Sequence, residues 1–156
     1  MVAGVREYLP HTPTRVTRNT AEEINEAIQR QIDARVEHYA AHPDEIDERL
    51  HALDQEWDIE RTLEANAAGF GFAGVLLGAL ADRRFLVLPG LVTGFLMQHA
   101  LQGWCPPVPL FRRLGVRTAA EIETERTALK ALRGDFDEAK SQRQGALRAL
   151  LDAVRR

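Results

Sequence analysis

Apolar residues recur at steps of three or four in four parts of this chain, and between the second and third of these they fill two almost unbroken runs. The first stripe is Ile24, Ile28, Ile32, Val36 and Tyr39 on an otherwise charged segment, a spacing that predicts an amphipathic helix with one narrow apolar edge. Thr20-Ala-Glu-Glu23 stands before it with the spacing of a capping box, so the helix is expected to start there. His42-Pro43-Asp44 interrupts the pattern. A second stripe follows, Ile46, Leu50, Leu53 and Trp57, again at the spacing of a helix that needs a partner. Two such stripes across a short break predict an antiparallel pair, or helices that pair with a second copy.

The runs in the middle have a different character. Residues 65–81 carry no charge, and residues 85–101 carry only His99 as an ionisable group; Asp82-Arg83-Arg84 lies between them. Taken as 63–81 and 85–103, the two segments have 19 residues each and would be roughly 28 Å long as helices. That matches the ~30 Å apolar thickness of a bilayer. The fold class expected is therefore all-α, a two-span transmembrane hairpin flanked on both sides by charged amphipathic helices. A soluble helical oligomer that buries the hairpin in its core is the competing reading.

Glycines in these runs support the membrane reading, since each weakens a water-exposed helix by about 1 kcal/mol relative to alanine. Ala67, Gly71, Gly74 and Gly78 fall on one face of the first span, and Gly90 with Gly94 repeats the pattern in the second. Small residues at such spacing let helix backbones approach closely in lipid. Pro89 is expected in the first turn of the second span, where its missing N–H costs least. Trp104, Arg112 and Arg113 follow the second span and are expected to anchor the chain at headgroup level.

Beyond the spans, Cys105-Pro106-Pro107-Val108-Pro109 predicts a sharp non-helical turn. Thr118-Ala-Ala-Glu121 is a second capping box, opening a helix through Ile122, Leu129 and Leu132 that pauses at Gly134-Asp135. A last helix carries Ala139, Ala146, Leu147, Leu150, Leu151 and Val154 on its apolar side. The organisation expected is an extended leader over 1–19, a helical pair over 20–62, the hairpin over 63–103, a proline-rich turn and basic segment over 104–117, and C-terminal helices over 118–156. Arg6, Glu7, Pro10 and Pro13 interrupt the leader, so no cleavable signal is expected in it.

Charge sharpens this division. Among the 156 residues, 1–64 hold 7 Lys/Arg against 15 Asp/Glu, whereas 102–156 hold 11 against 7. The balance gives no basic surface of the kind nucleic acid requires, so no nucleic-acid partner is expected. Near the span ends, Arg49, Arg61, Arg112, Arg113 and Arg117 lie on the terminal side and Arg83 with Arg84 in the connection. By the positive-inside rule both termini face the cytoplasm of a bacterial inner membrane.

The stretch Gly94–Pro107, GFLMQHALQGWCPP, together with Leu110–Gly115, LFRRLG, resembles the YgaP-like inner-membrane transmembrane domain family. That family's second span ends in a Gly-x-Cys-Pro type turn followed by a short Leu-Gly element, here Gly103, Cys105, Pro106, Leu114 and Gly115. The resemblance covers roughly residues 65–117 and implies a two-span hairpin, in some relatives fused to a rhodanese sulfurtransferase. This chain departs from the family in its long charged flanking helices and in having no rhodanese segment, so sulfurtransferase activity is not carried over.

Chemistry is sparse. Cys105 is the single cysteine and excludes an internal disulfide. His99 stands six residues before it, and a folded-back turn would bring an imidazole or guanidinium near the thiol, as a sulfur or soft-metal handler would require. One cysteine with one histidine does not complete a metal site. No phosphate loop, nucleophile elbow, dinucleotide fingerprint or zinc motif is present. The function expected is non-enzymatic and cofactor-free: an assembly or docking module in the lipid bilayer, acting as a homo-oligomer or within a larger membrane complex.

Overall fold

The structure, a computed structural model, describes residues 10–154. Residues 1–9 of the leader lie outside the described residues, as do the side chains of Ala139, Leu150 and Val154 in the last stripe. Among the described residues every regular element is helical: α1 (Glu22–Ala41), α2 (Ile46–Gln55), α3 (Ile59–Leu80), α4 (Val87–Gln102), α5 (Val108–Arg113), α6 (Ala119–Arg133) and α7 (Asp137–Val154).

α3 and α4 form the hairpin. Asp58 caps α3 by accepting from the Arg61 amide at 2.8 Å, so the helix starts four residues before the expected span and the boundary drawn at 62/63 falls inside it. The connection turns at Asp82, whose carboxylate accepts from the Arg84 amide, and continues as a 3-10 turn over Arg83–Leu86. Pro89 falls in the first turn of α4, as expected. Close approach is made by Gly74 and Gly78. A Cβ on Gly74 would lie 2.5 Å from Pro89 Cδ, and one on Gly78 would lie 2.6 Å from Leu86 Cδ2. Ala67 and Gly71 are half-buried, whereas Gly90 and Gly94 are exposed with nothing near them. The two small-residue faces therefore do not meet: the α3 face receives Leu86, Leu88 and Pro89, and the α4 face is open.

Two segments, Pro43–Leu80 and Arg83–Gln102, each contain an 18-residue stretch long and apolar enough to cross a membrane. Only 17% and 6% of those stretches are buried within the chain. Phe70, Phe72, Val75, Leu80, Val87, Leu91 and Met97 face outward.

The charged helices do not pair as their stripes predicted. α1 and α2 both pack on α6, where Ile46, Leu50 and Leu53 meet Ile122 and Leu129 with Tyr39 at the margin. α6 thus supplies the partner that the two narrow stripes needed, and a second copy is not required to cover them. Trp57, expected to extend the second stripe, lies past the end of α2, is exposed, and has the Arg61 guanidinium over its ring at 4.3 Å.

Three local predictions also change. Thr20 does not cap α1: its hydroxyl donates to the Val16 carbonyl at 2.9 Å and accepts from Arg112 Nε at 3.2 Å. Residues 12–14 and 17–19 are 3-10 turns rather than extended chain, and Val16 is buried against Ile59, Leu63, Cys105 and Val108. The turn after α4 is shorter than expected, because Val108 and Pro109 already belong to α5, whose first turn needs no proline N–H. The second capping box forms as expected, and α6 ends at Gly134 with φ +94°.

Candidate functional site

At its open end the hairpin meets α5 and the N-terminal turn, and Glu60 of α3 and His99 of α4 come together there. Gly103 ends α4 with φ +77°, a left-handed conformation that also admits the backbone of Arg15, whose carbonyl would lie 2.5 Å from any Cβ at this position. Asn19 closes the same junction: its Nδ2 donates to the Arg15 carbonyl and to the Gln102 carbonyl, each at 2.8 Å. The N-terminal turn is thereby seated on the C-terminal end of α4.

Beneath it, His99 on α4 is 2% exposed and Cys105, just past the turn, is 4% exposed. His99 Nε2–H donates to Glu60 Oε2 on the first turn of α3 at 2.8 Å. Glu60 Oε1 in turn accepts from Arg15 Nη2, also at 2.8 Å. Cys105 packs among Val16, Ile59, Leu63 and Val108. His99 Nδ1 and Arg15 Nε are buried without a hydrogen-bond partner. Glu60 and Arg15 also border a cleft of about 270 Å³ with Thr12, Pro13, Thr118 and Ala119 on its walls. A polar chain therefore leads from this cleft through Glu60 to the buried His99.

The spacing of His99 and Cys105 raised the prospect of a folded-back turn; in the structure both are buried at this end of the hairpin, His99 bonded to Glu60 and Cys105 within the apolar cluster. Glu60 and Arg15 were not foreseen. Glu60 shares a helix face with Leu63, and Asp58 would have marked the helix start that sets this register; nothing local points to a histidine 39 residues away. Among the described residues no group of three or more His, Cys, Asp or Glu side chains is arranged to hold a metal ion.

A second polar cluster joins α5 to α1 and α6. Arg112, expected at the membrane surface, is instead buried on α5. Its guanidinium makes a two-pronged pair with Glu121 (2.6 and 2.7 Å), donates to Asn25 Oδ1 at 2.9 Å and to the Val116 carbonyl at 3.1 Å, and reaches Thr20 with Nε. All five of its donors are thus engaged. Arg113 remains exposed and Trp104 half-buried, positions compatible with an anchoring role that Arg112 has lost to burial.

Arg117 is also buried; it grips Glu56 with two bonds (2.7 and 2.6 Å) and bonds Glu125. Glu125 is wholly buried and also accepts from Arg49 Nε at 2.7 Å, with Arg35 at 3.5 Å. Burial pushes the Glu125 carboxyl up, but the hydrogen bonds from Arg49 and Arg117 outweigh it and hold the carboxyl below its ordinary range. Glu121 is depressed in the same way, against burial, by Arg112 and the Thr118 amide. These pairs lock α1, α2 and α6 into one platform, and the Arg117 carbonyl joins it to the hairpin by accepting from the Ile59 amide at the start of α3 at 2.8 Å.

Comparison with protein-family models, with curated proteins and with solved structures finds no match to this chain.

Proposed function

We propose that this chain is a small integral protein of a bacterial inner membrane, with α3 and α4 spanning the bilayer, both termini in the cytoplasm, and no catalytic activity. The observation that carries the reading is the exposure of the two apolar segments, 17% and 6% buried. A core hairpin of a water-soluble protein would be covered by its own chain, whereas here large side chains such as Phe72 and Leu80, 67% and 84% exposed, have only the surroundings to cover them. The resemblance of 65–117 to the YgaP-like transmembrane domain agrees with this placement. Within it the helical platform is a docking body for a larger membrane complex or for a second copy, and the open Gly90 and Gly94 face of α4 is the surface at which a further span would approach.

Alkaline carbonate treatment of membranes tests the placement: the chain should stay in the pellet until detergent is added, and release without detergent would leave the soluble oligomer standing. A reporter fused after Arg156 tests the orientation, with activity confined to the cytoplasm expected. A soft-metal handler is the weaker reading, because the Arg15 guanidinium, paired with the Glu60 that carries His99, opposes a bound cation.

A further inference from the structure

We propose that the open end of the hairpin binds the phosphates of anionic phospholipids, with Arg18, Arg61 and Arg113 as their ligands. This rests on the membrane placement proposed above and names the lipid class that the placement leaves open.

The arginines of this chain divide by location. Every arginine on α1, α2 and α6 is ion-paired with a carboxylate of the chain. Among the described residues no carboxylate pairs with Arg18, Arg61 or Arg113 at the open end, or with Arg83 and Arg84 in the connection, and all five are exposed. Two further unpaired arginines, Arg143 and Arg148, are on α7. A guanidinium without a carboxylate on its own chain takes water or another anion as its partner. These five stand at the two ends of the exposed apolar segments, where a bilayer has its headgroups.

The local structure suits phosphate. In the first turn of α3 the Arg61 guanidinium lies over the exposed Trp57 ring, 4.3 Å from its centre. Stacking takes up the flat face of the guanidinium and leaves its in-plane N–H groups free, the fork that matches two phosphate oxygens. Arg113 ends α5 with the exposed Leu110 one turn before it and the exposed Leu114 after it, so a cation stands beside side chains that acyl chains would cover. Arg18 is in the turn whose Asn19 is bonded to the end of α4. The carboxylates nearby are engaged: Glu56 with Arg117, Asp58 with the Arg61 amide, and Glu60 with His99 and Arg15. The exposed Glu64 is left as the acid against these three cations.

The lipid class follows from charge. A zwitterionic headgroup carries an ammonium beside its phosphate, so an arginine there competes with a partner already present. An anionic headgroup has no such partner, and a surface made of it draws in cations. Each arginine near that surface is worth about a fivefold preference for the anionic lipid.

Both tryptophans of the chain, Trp57 and Trp104, lie at this end, so their fluorescence reports the lipids found there. The test reconstitutes the full chain into vesicles of phosphatidylglycerol and phosphatidylcholine in equal parts, with bromine on the acyl chains of one lipid or of the other. Brominated phosphatidylglycerol should quench more strongly, corresponding to an enrichment of about fivefold. Arg61→Gln combined with Arg113→Gln should cut that preference to less than half, and either single variant makes the same comparison should the pair not fold. Arg30→Gln, which loses an ion pair on α1, should leave the preference as it was. Equal quenching by the two lipids in the wild-type chain overturns the proposal and leaves the membrane placement standing, as does an undiminished preference in a folded Arg61 or Arg113 variant. Quenching by neither lipid overturns the placement and this proposal together.

Discussion

His99 Nε2 and Glu60 Oε2 lie 2.8 Å apart and join the last turn of α4 to the first turn of α3. The two helices are thereby clamped at the open end of the hairpin by a polar contact, and near the closed end by the packing of Gly74 and Gly78 against Leu86 and Pro89.

The clamp predicts an asymmetry. Glu60→Ala leaves His99 buried with neither ring nitrogen paired, a loss on the order of 1 to 3 kcal/mol. His99→Leu removes the buried polar ring together with its orphaned Nδ1 and leaves Glu60 with Arg15, so it should cost less. Thermal denaturation of the two variants in mild detergent gives the order, and equal or reversed costs would contradict the clamp.

Glycine substitutions should separate into two groups. Gly74→Ala meets the rigid ring of Pro89 and should cost on the order of 1 to 3 kcal/mol of hairpin stability. Gly90→Ala and Gly94→Ala meet nothing within 4 Å and should leave the monomer intact. If the α4 face receives another span, Gly94→Ile should reduce crosslinked oligomer in native membranes while the hairpin remains resistant to protease.

Acid should loosen the platform. Glu121 and Glu125 are held below the ordinary carboxylate value of 4.5 when folded, so the unfolded chain binds protons first as pH falls. Their contribution is complete above that value and is lost as pH drops through the folded values. Unfolding followed against pH should show stability declining below about 4.5, and Glu125→Gln should flatten the decline. Glu125→Leu, which removes one partner of Arg49 and Arg117 but leaves Glu56 to both, should cost on the order of 1 to 3 kcal/mol at neutral pH.

Two neighbouring arginines should behave differently. Arg112→Lys keeps the charge but cannot reproduce the two-pronged pair with Glu121 and the bonds to Asn25 and Val116, so the platform should lose on the order of 2 kcal/mol. Arg113→Ala, at an exposed position, should change stability by no more than about 0.5 kcal/mol. Denaturant midpoints of the two variants give the comparison.

Features readable along the chain are those made by neighbours in sequence. Two long apolar runs, the break at Pro43, the capping box at Thr118 and the stop at Gly134 all depend on residues within one or two turns, and each stands in the structure where periodicity and capping chemistry placed it. The failures share a cause. Thr20 had the spacing of a cap, but Arg112, 92 positions away, occupies its hydroxyl. Arg112 looked like a surface anchor because an arginine reads the same whether it meets a headgroup or a buried glutamate. The stripes of α1 and α2 announced that they needed a partner without naming α6, since hydrophobic burial has no direction and any complementary stripe satisfies it. Glu60 and His99 stood in segments with no local sign of each other; only the packing of α3 against α4 brought a carboxylate and an imidazole to one place. Helices follow from local periodicity, whereas the pairing of charges between distant segments is settled by which surfaces the whole chain buries together.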